Sequence, residues 1–260
     1  MLEGLMPASG KHSITRVIAT LFVPQTFLKP KIVFEKVKDL ESFSTYQKKT
    51  LIKPTKISIK DGSVGITSNE ISGFVFEEYD KTGRLKNALK LENVNENQSI
   101  ITLENRVYTN WSDFKAKLVK DVQGLSEKIE IYIDAVSLTY VDEFIWNKNE
   151  TIDVNSIFNA DSSLLNTKFK TSKNGTLILV TQGNNDSFNY EEKTEVSFNN
   201  DVKRIAMSHQ FAVKLSSLEL FNNLNSEGKF DFFYEEAHKA NKEVLRDVFS
   251  KDCQKLIDLK

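Results

Sequence analysis

Apolar and polar residues alternate along most of this chain, and short turn-forming clusters interrupt the alternation. The runs ISGFVFEEY, NALKLENV, SIITLENRVY, TLILVTQG, KTEVSFNN and VKRIAMSHQFAVKL are rich in Ile, Val, Phe and Thr, and several alternate apolar with polar. That composition and period predict half-buried strands. Between such runs lie KDGS at Asp61, DKTGR at Gly83, VNENQ at Asn95, SKNG at Gly175 and GNNDS at Asn185, which predict hairpins.

Two long segments change period. YTNWSDFKAKLVKDV gathers Trp111, Phe114, Leu118, Val119 and Val122 on one stripe, the signature of an amphipathic helix. Asn110 stands where it can cap that helix, and Asp113 favours its N-terminal dipole. KFDFFYEEAHKANKEVLRDVF gathers Phe230, Phe233, Tyr234, Ala237, Val244, Leu245 and Val248 on one face. PKIVFEKVKDL and DVNSIFN predict shorter helices.

In order, these elements predict a repeat. Strand 14–23, helix 30–40, strands 55–107 and helix 110–123 are followed by strand 128–146, helix 153–159, strands 167–215 and helix 230–249. The halves share no residue-level identity, so the expected duplication is one of topology. The fold class is α+β, with antiparallel sheets packed by amphipathic helices that each bury one sheet face. Residues 1–12 read as a flexible lead-in, 13–126 as the first half and 127–260 as the second, in one compact unit joined through strand 128–146. A plain single-sheet α+β fold is the alternative.

Strand 128–146 departs from a simple pattern. Its odd positions begin apolar at Ile129, Ile131 and Ile133 and turn polar towards Glu143, while its even positions do the reverse. Side chains alternate with period two, so one flat strand on a one-sided sheet does not switch faces. Either a bulge shifts the register or the strand passes between packing environments. Asp142 falls on the even face between Tyr140 and Phe144, where an unpaired buried carboxylate costs several kcal/mol or is neutralised. Glu143 points the other way, so the two acids do not form the facing pair, about 5 to 9.5 Å apart, of a glycosidase.

Composition narrows the chemistry. Among 260 residues, 35 Lys and Arg balance 36 Asp and Glu, a net charge of −1. That leaves no electrostatic footprint for non-specific nucleic-acid binding unless the fold gathers lysines on one face. The locally basic run LIKPTKISIK reads as a solvated strand face. The single cysteine, Cys253, forms no internal disulfide, which makes a reducing compartment the default. One cysteine and three histidines do not supply an all-cysteine zinc site, nor one of two cysteines and two histidines. No apolar run approaches the roughly 18 residues of a membrane span, and MLEGLMPASGKHS lacks the basic start and apolar core of a secretory signal. The expected setting is the cytoplasm, without a membrane.

Few candidates for chemistry remain. Gly-x-Ser-x-Gly, Walker A and Gly-x-Gly-x-x-Gly are absent from the sequence. Glu235 and His238 have the Glu-x-x-His spacing of di-iron bundles, but those need a second such motif, so neither a metal nor a cofactor is expected. Asn241 falls inside the apolar stripe of the last helix and His238 on its edge. They are either a satisfied polar pair docking the helix to the sheet or the lining of a pocket between the two. His209 reads as a satisfied sheet histidine. The ligand-binding candidates are therefore Tyr140, Asp142, His238 and Asn241, with no catalytic set.

VYTNWSDFKAKL, AVSLTYVDEFIW and AHKANKEVLRDVF together resemble a sporadically distributed prokaryotic family of conserved hypothetical proteins. The resemblance rests on Tyr108, Trp111 and Phe114 at a helix start, on Leu138, Tyr140, Asp142 and Phe144 along a strand, and on His238 in a C-terminal helix. It covers the middle and end of the chain, with short motifs, and carries over no reaction. The sporadic distribution implies phage-defence or toxin–antitoxin neighbourhoods. With the neutral charge and missing catalytic set, it points to a non-enzymatic protein-interaction or regulatory module with a protein partner. The alternative is a small-ligand-binding protein or an unassigned enzyme with a pocket between the C-terminal helix and the sheet.

Overall fold

The alternating runs fold as strands and the two long stripes as helices. A computed structural model describes residues 2–10, 12–27, 29–60, 63–68, 70–185 and 187–259, with the backbone alone for 55–60 and 63–68. The turn expected at Asp61 and the side chains expected to form a solvated face on 55–60 lie outside the described residues. In chain order the elements are β1 (Leu5–Pro7), β2 (Ile14–Val23), α1 (Pro30–Val37), a 3-10 turn (Glu41–Phe43), β3 (Lys48–Ile52), β4 (Thr55–Lys60), β5 (Ser63–Ser68), β6 (Gly73–Tyr79), β7 (Leu85–Asn95), β8 (Gln98–Asn105), α2 (Trp111–Ser126) and β9 (Tyr132–Trp146). They continue with α3 (Val154–Ile157), α4 (Thr167–Lys170), β10 (Gly175–Asn184), β11 (Asn189–Asn199), β12 (Arg204–Leu220), α5 (Phe221–Ser226), α6 (Lys229–Val248) and α7 (Lys251–Leu256). The class is α+β with antiparallel pairing. No helix among the described residues is long and apolar enough to cross a membrane.

Two element boundaries differ from expectation for local reasons. The chain at 127–129 finishes α2 with backbone hydrogen bonds back to Gln123 and Leu125, so β9 starts at Tyr132 and not at 128. Asn166 accepts a hydrogen bond from the Phe169 N–H at 2.8 Å and caps the short helix α4, inside a stretch expected to be all strand.

Two compact units share the chain. One takes Ala19–Val136 and Leu215–Phe230; the other takes the residues up to Ile18, Ser137–Lys214 and Asp231 onward. Each draws on both halves of the sequence. In the first unit the strand order is β2, β8, β7, β6, β3. The side chains of Phe74, Phe76, Leu89, Leu91, Ile101 and Leu103 form one buried face. α1 and the 3-10 turn cover it through Phe34, 5.8 Å from Phe74, and Phe43, 5.2 Å from Phe76. α2 adds Phe114, Leu118, Val122 and Leu125.

In the second unit the order is β10, β11, β12, β9, β2. Within the stretch expected as a lead-in, β1 pairs antiparallel with β9, Leu5 opposite Trp146. The core gathers Phe144, Phe158, Phe169, Phe198 and Phe249 with Leu245 and Cys253, and Phe158 stacks on Phe249 at 5.9 Å.

β9 changes the phase of its burial as its residues pass from one unit to the other. Ile131 and Ile133 are buried, then Val136, Ser137 and Leu138 in succession, then Tyr140, Asp142, Phe144 and Trp146. The switch falls at Val136 and Ser137, where the two units divide the strand. The face change legible in the sequence thus falls where the two units divide the strand.

Candidate functional site

Three neighbouring strands of the first unit end their core-facing rows on a polar residue. β6 runs Phe74, Phe76, Glu78; β7 runs Leu91, Leu89, Asn87; β8 runs Ile101, Leu103, Asn105. The register sets Glu78 opposite Asn87 and Asn87 opposite Asn105, which places the three side chains within cross-strand reach. They are joined in series. Asn105 Nδ2 donates to Asn87 Oδ1 at 2.7 Å and Asn87 Nδ2 donates to Glu78 Oε2 at 2.7 Å. The Val107 N–H donates to Asn105 Oδ1 at 3.0 Å.

α2 lays Lys117 and Asp121 against this row. Lys117 Nζ is 3.6 Å from Glu78 Oε2, 3.3 Å from Asp121 Oδ2 and 4.3 Å from the centre of the Tyr46 ring. Tyr46 Oη donates to Asp121 Oδ2 at 2.5 Å, and Lys86 Nζ sits 3.0 Å from Glu78 Oε1. The close seat of α2 depends on Gly124. A Cβ there would stand 2.5 Å from Ser42 Oγ and 3.0 Å from Phe43 Cζ, so a larger residue would have to push these side chains aside for the helix to rest on the 3-10 turn that leads to Tyr46.

Burial and charge set opposing demands in this network. Burial pushes the Asp121 carboxyl above its ordinary value, against the pull of Lys117 and the Tyr46 hydrogen bond. Burial, then the Asp121 charge, raises the Tyr46 phenol, which stays a donor. Burial also acts to raise Glu78, but hydrogen bonds from Asn87 and Lys86 and the charge of Lys117 outweigh it and hold the carboxyl below its ordinary value. Asp121 is 0% exposed, and its Oδ1 has no hydrogen-bond partner among the described residues; a buried polar atom of that kind is costly.

The row and α2 border a cleft of about 560 Å³, within the range of small-molecule sites. Glu78, Lys86, Asn87 and Asn105 from the strands and Lys117 and Lys120 from α2 are among its lining residues, and Val107, Tyr108 and Phe114 supply apolar surface. The Asp113 carboxylate accepts from Asn110 Nδ2 at 2.8 Å at the helix start, where Asn110 caps as expected by accepting from the Asp113 N–H at 2.9 Å. Glu78 is taken up by Lys86, Asn87 and Lys117. An ammonium has three donors and no acceptor, so the lysines keep donors to spare while the acids of the cleft are engaged.

The residues expected from the sequence lie in the other unit. Tyr140 and His238 meet, with Oη 2.7 Å from Nδ1. Asp142 is 1% exposed and accepts from Ser13 Oγ at 2.5 Å; burial raises its carboxyl to about 6, against the Ser13 hydrogen bond. Asn241 is buried within the α6 stripe and His238 half-buried at its edge, and Asn241 Oδ1 has no hydrogen-bond partner among the described residues. A cleft of about 290 Å³ does lie between α6 and strands β11 and β12, but Tyr190, Glu192, Phe211, Glu243 and Asp247 are among its lining residues and these four are not. His209 Nε2 is 2.8 Å from Glu192 Oε1. Among the described residues no group of three or more His, Cys, Asp or Glu side chains is placed to hold a metal ion.

Tyr46, Glu78, Asn87, Asn105, Lys117 and Asp121 were not singled out from the sequence, although two periodic signals point to some of them. Asn87 and Asn105 sit in phase with the buried alternation of their strands. Asp121 continues the helical step of Phe114 and Leu118 and precedes Leu125 in it. Tyr108 and Phe114, two of the residues carrying the family resemblance, line this cleft. No family model matches the chain, and no curated protein and no solved structure matches it.

Proposed function

We propose that the protein is a non-enzymatic binding and regulatory module that takes a small organic anion into the cleft beside α2. The observation that carries this reading is the polar row Glu78–Asn87–Asn105 beneath Lys117. Its carboxylate is already bonded, whereas Lys86, Lys117 and Lys120 retain donors around the same space. The fitting ligand has phosphate or carboxylate oxygens for the lysines and an apolar or aromatic body for Val107, Tyr108 and Phe114. Calorimetric titration tests this with adenosine 5′-monophosphate, 4-hydroxybenzoate and inorganic phosphate as probes. Binding of either organic anion, weakened about tenfold or more by Lys117→Met, supports the reading. No heat with any probe, or unchanged affinity in Lys117→Met, refutes it.

The resemblance extends the reading to a protein partner and a cytoplasmic, defence-type setting, on the strength of Tyr108, Trp111, Phe114, Tyr140 and Asp142. Co-purification with the product of the adjacent gene is the test, and a chain that never co-purifies with it counts against the extension. We also read the chain as a topological duplication. In support, β2 and α1 are followed by strands that return to lay β8 beside β2, then α2. Likewise β9 and α3 are followed by strands that return to lay β12 beside β9, then α6.

A further inference from the structure

Strand β10 ends the strand order of its unit, and its sequence GTLILVTQGN holds no charge and no proline. Edge strands are normally blunted by short length, lysine, proline or a bulge, because their unpaired N–H and C=O groups invite another chain. β3, the edge strand of the first unit, follows that rule with Lys48 and Lys49 in five residues. β10 does not. It runs for 10 residues, pairs with β11 in unbroken register, and leaves Ile178 58% and Val180 53% exposed.

The open edge has a defined chemistry. The hairpin closes with the Asn185 N–H on the Phe188 carbonyl at 3.0 Å. Residues of an antiparallel ladder alternate between bonded and non-bonded pairs. The odd residues of β10 therefore turn their backbone groups to β11, and Thr176, Ile178, Val180 and Gln182 turn theirs outward. Of these, Ile178 and Val180 carry the exposed apolar side chains.

The geometry points to a second copy of this chain as the occupant, paired antiparallel β10 to β10 about a two-fold axis through Leu179. In that register Ile178 faces Val180 of the second copy and Thr176 faces its Gln182. The outward-turned groups bond each other, and each exposed apolar side chain covers its counterpart. The flanking charges agree. Lys193 lies beside Val180 and Glu195 beside Ile178, and neither has an ion-pair partner among the described residues. Across the axis one row reads Lys193, Val180, then Ile178 and Glu195 of the second copy. Opposite charges thus flank the apolar pair about 14 Å apart at the backbone, a gap that two long side chains lying over that pair narrow. Symmetry gives a second such row, and the interface closes at two copies because a two-fold pairing occupies the β10 edge of both chains.

Sedimentation velocity of the full chain over roughly 1 to 100 µM tests the pairing. The wild type is expected to reach the mass of two chains, and Val180→Lys, at an exposed position, to sediment as one chain with an unchanged circular dichroism spectrum. Lys193→Glu sets like charges in each row and is expected to weaken the dimer roughly two- to tenfold. Lys193→Glu with Glu195→Lys restores opposite charges and should recover wild-type association. A wild type that stays monomeric, assemblies larger than two, a Val180→Lys variant that still dimerises, or a charge swap no better than Lys193→Glu would each overturn the pairing.

Discussion

Replacing Asp142 by Asn should stabilise the protein at neutral pH and not at pH 4. Asp142 is fully buried on β9 and its carboxyl is raised by burial from an ordinary 3.8 to about 6. The folded state therefore holds this proton more tightly than the unfolded chain does. Between those two pH values the unfolded chain has released a proton that the folded one keeps, so stability falls as pH rises from about 4 to about 6 and levels off above. A difference of about 2 pH units corresponds to roughly 3 kcal/mol. Asn bears no charge, and its Oδ1 still accepts from Ser13 Oγ, although its amide hydrogens need partners that a carboxylate does not, which offsets about 1 kcal/mol. Cys253, the titratable neighbour that feels the Asp142 charge, is pushed up to about 12 by burial first and that charge second, so it stays a thiol throughout. Urea unfolding of both proteins from pH 4 to pH 8 should show curves that nearly coincide at pH 4 and separate by roughly 2 kcal/mol or more at pH 8, Asn the more stable. A gap that does not change with pH, or one in which Asn becomes the less stable partner as pH rises, would refute the reasoning.

Two further substitutions probe the α2 seat. Gly124→Ala improves helix propensity by about 1 kcal/mol but drives a Cβ into Ser42 Oγ. A net loss of about 1 to 2 kcal/mol in urea unfolding is expected, with Ser42→Ala recovering part of it. Tyr46→Phe removes the hydroxyl donated to Asp121 and should cost about 1 to 3 kcal/mol. In a double-mutant cycle with Asp121→Asn the two losses should fall short of adding, and full additivity would contradict the hydrogen bond.

The sequence made the elements legible because burial on a sheet or a helix repeats with a fixed period. Ile14–Val23 and the two long helices follow directly from alternation and stripe. The phase change on β9 was legible too, because it is written in which positions are apolar. What the periods did not carry is long-range. Nothing local tells that Leu215–Phe230 packs with Ala19–Val136, or that 167–170 turns into a helix once Asn166 supplies a cap. The cleft shows the same division. Asn87 and Asn105 break the apolar rows of β7 and β8 in phase, and Asp121 breaks the stripe of α2. That these breaks meet depends on the β6–β7–β8 register and on Gly124. Tyr46 follows the 3-10 turn in a stretch with no period at all. Asp142 and His238 stood out in the sequence for the same reason as Asn87, a polar group on an apolar face. In the fold they serve as partners of Ser13 and Tyr140.

The most direct measurement of the proposed ligand site is a heteronuclear NMR titration of the labelled full chain with adenosine 5′-monophosphate. If the cleft beside α2 is the site, the side-chain amides of Asn87 and Asn105 and the backbone amides around Val107–Lys120 shift together, and Lys117→Met suppresses those shifts. Shifts confined to other segments, or a spectrum unchanged by this probe and by 4-hydroxybenzoate, would contradict it.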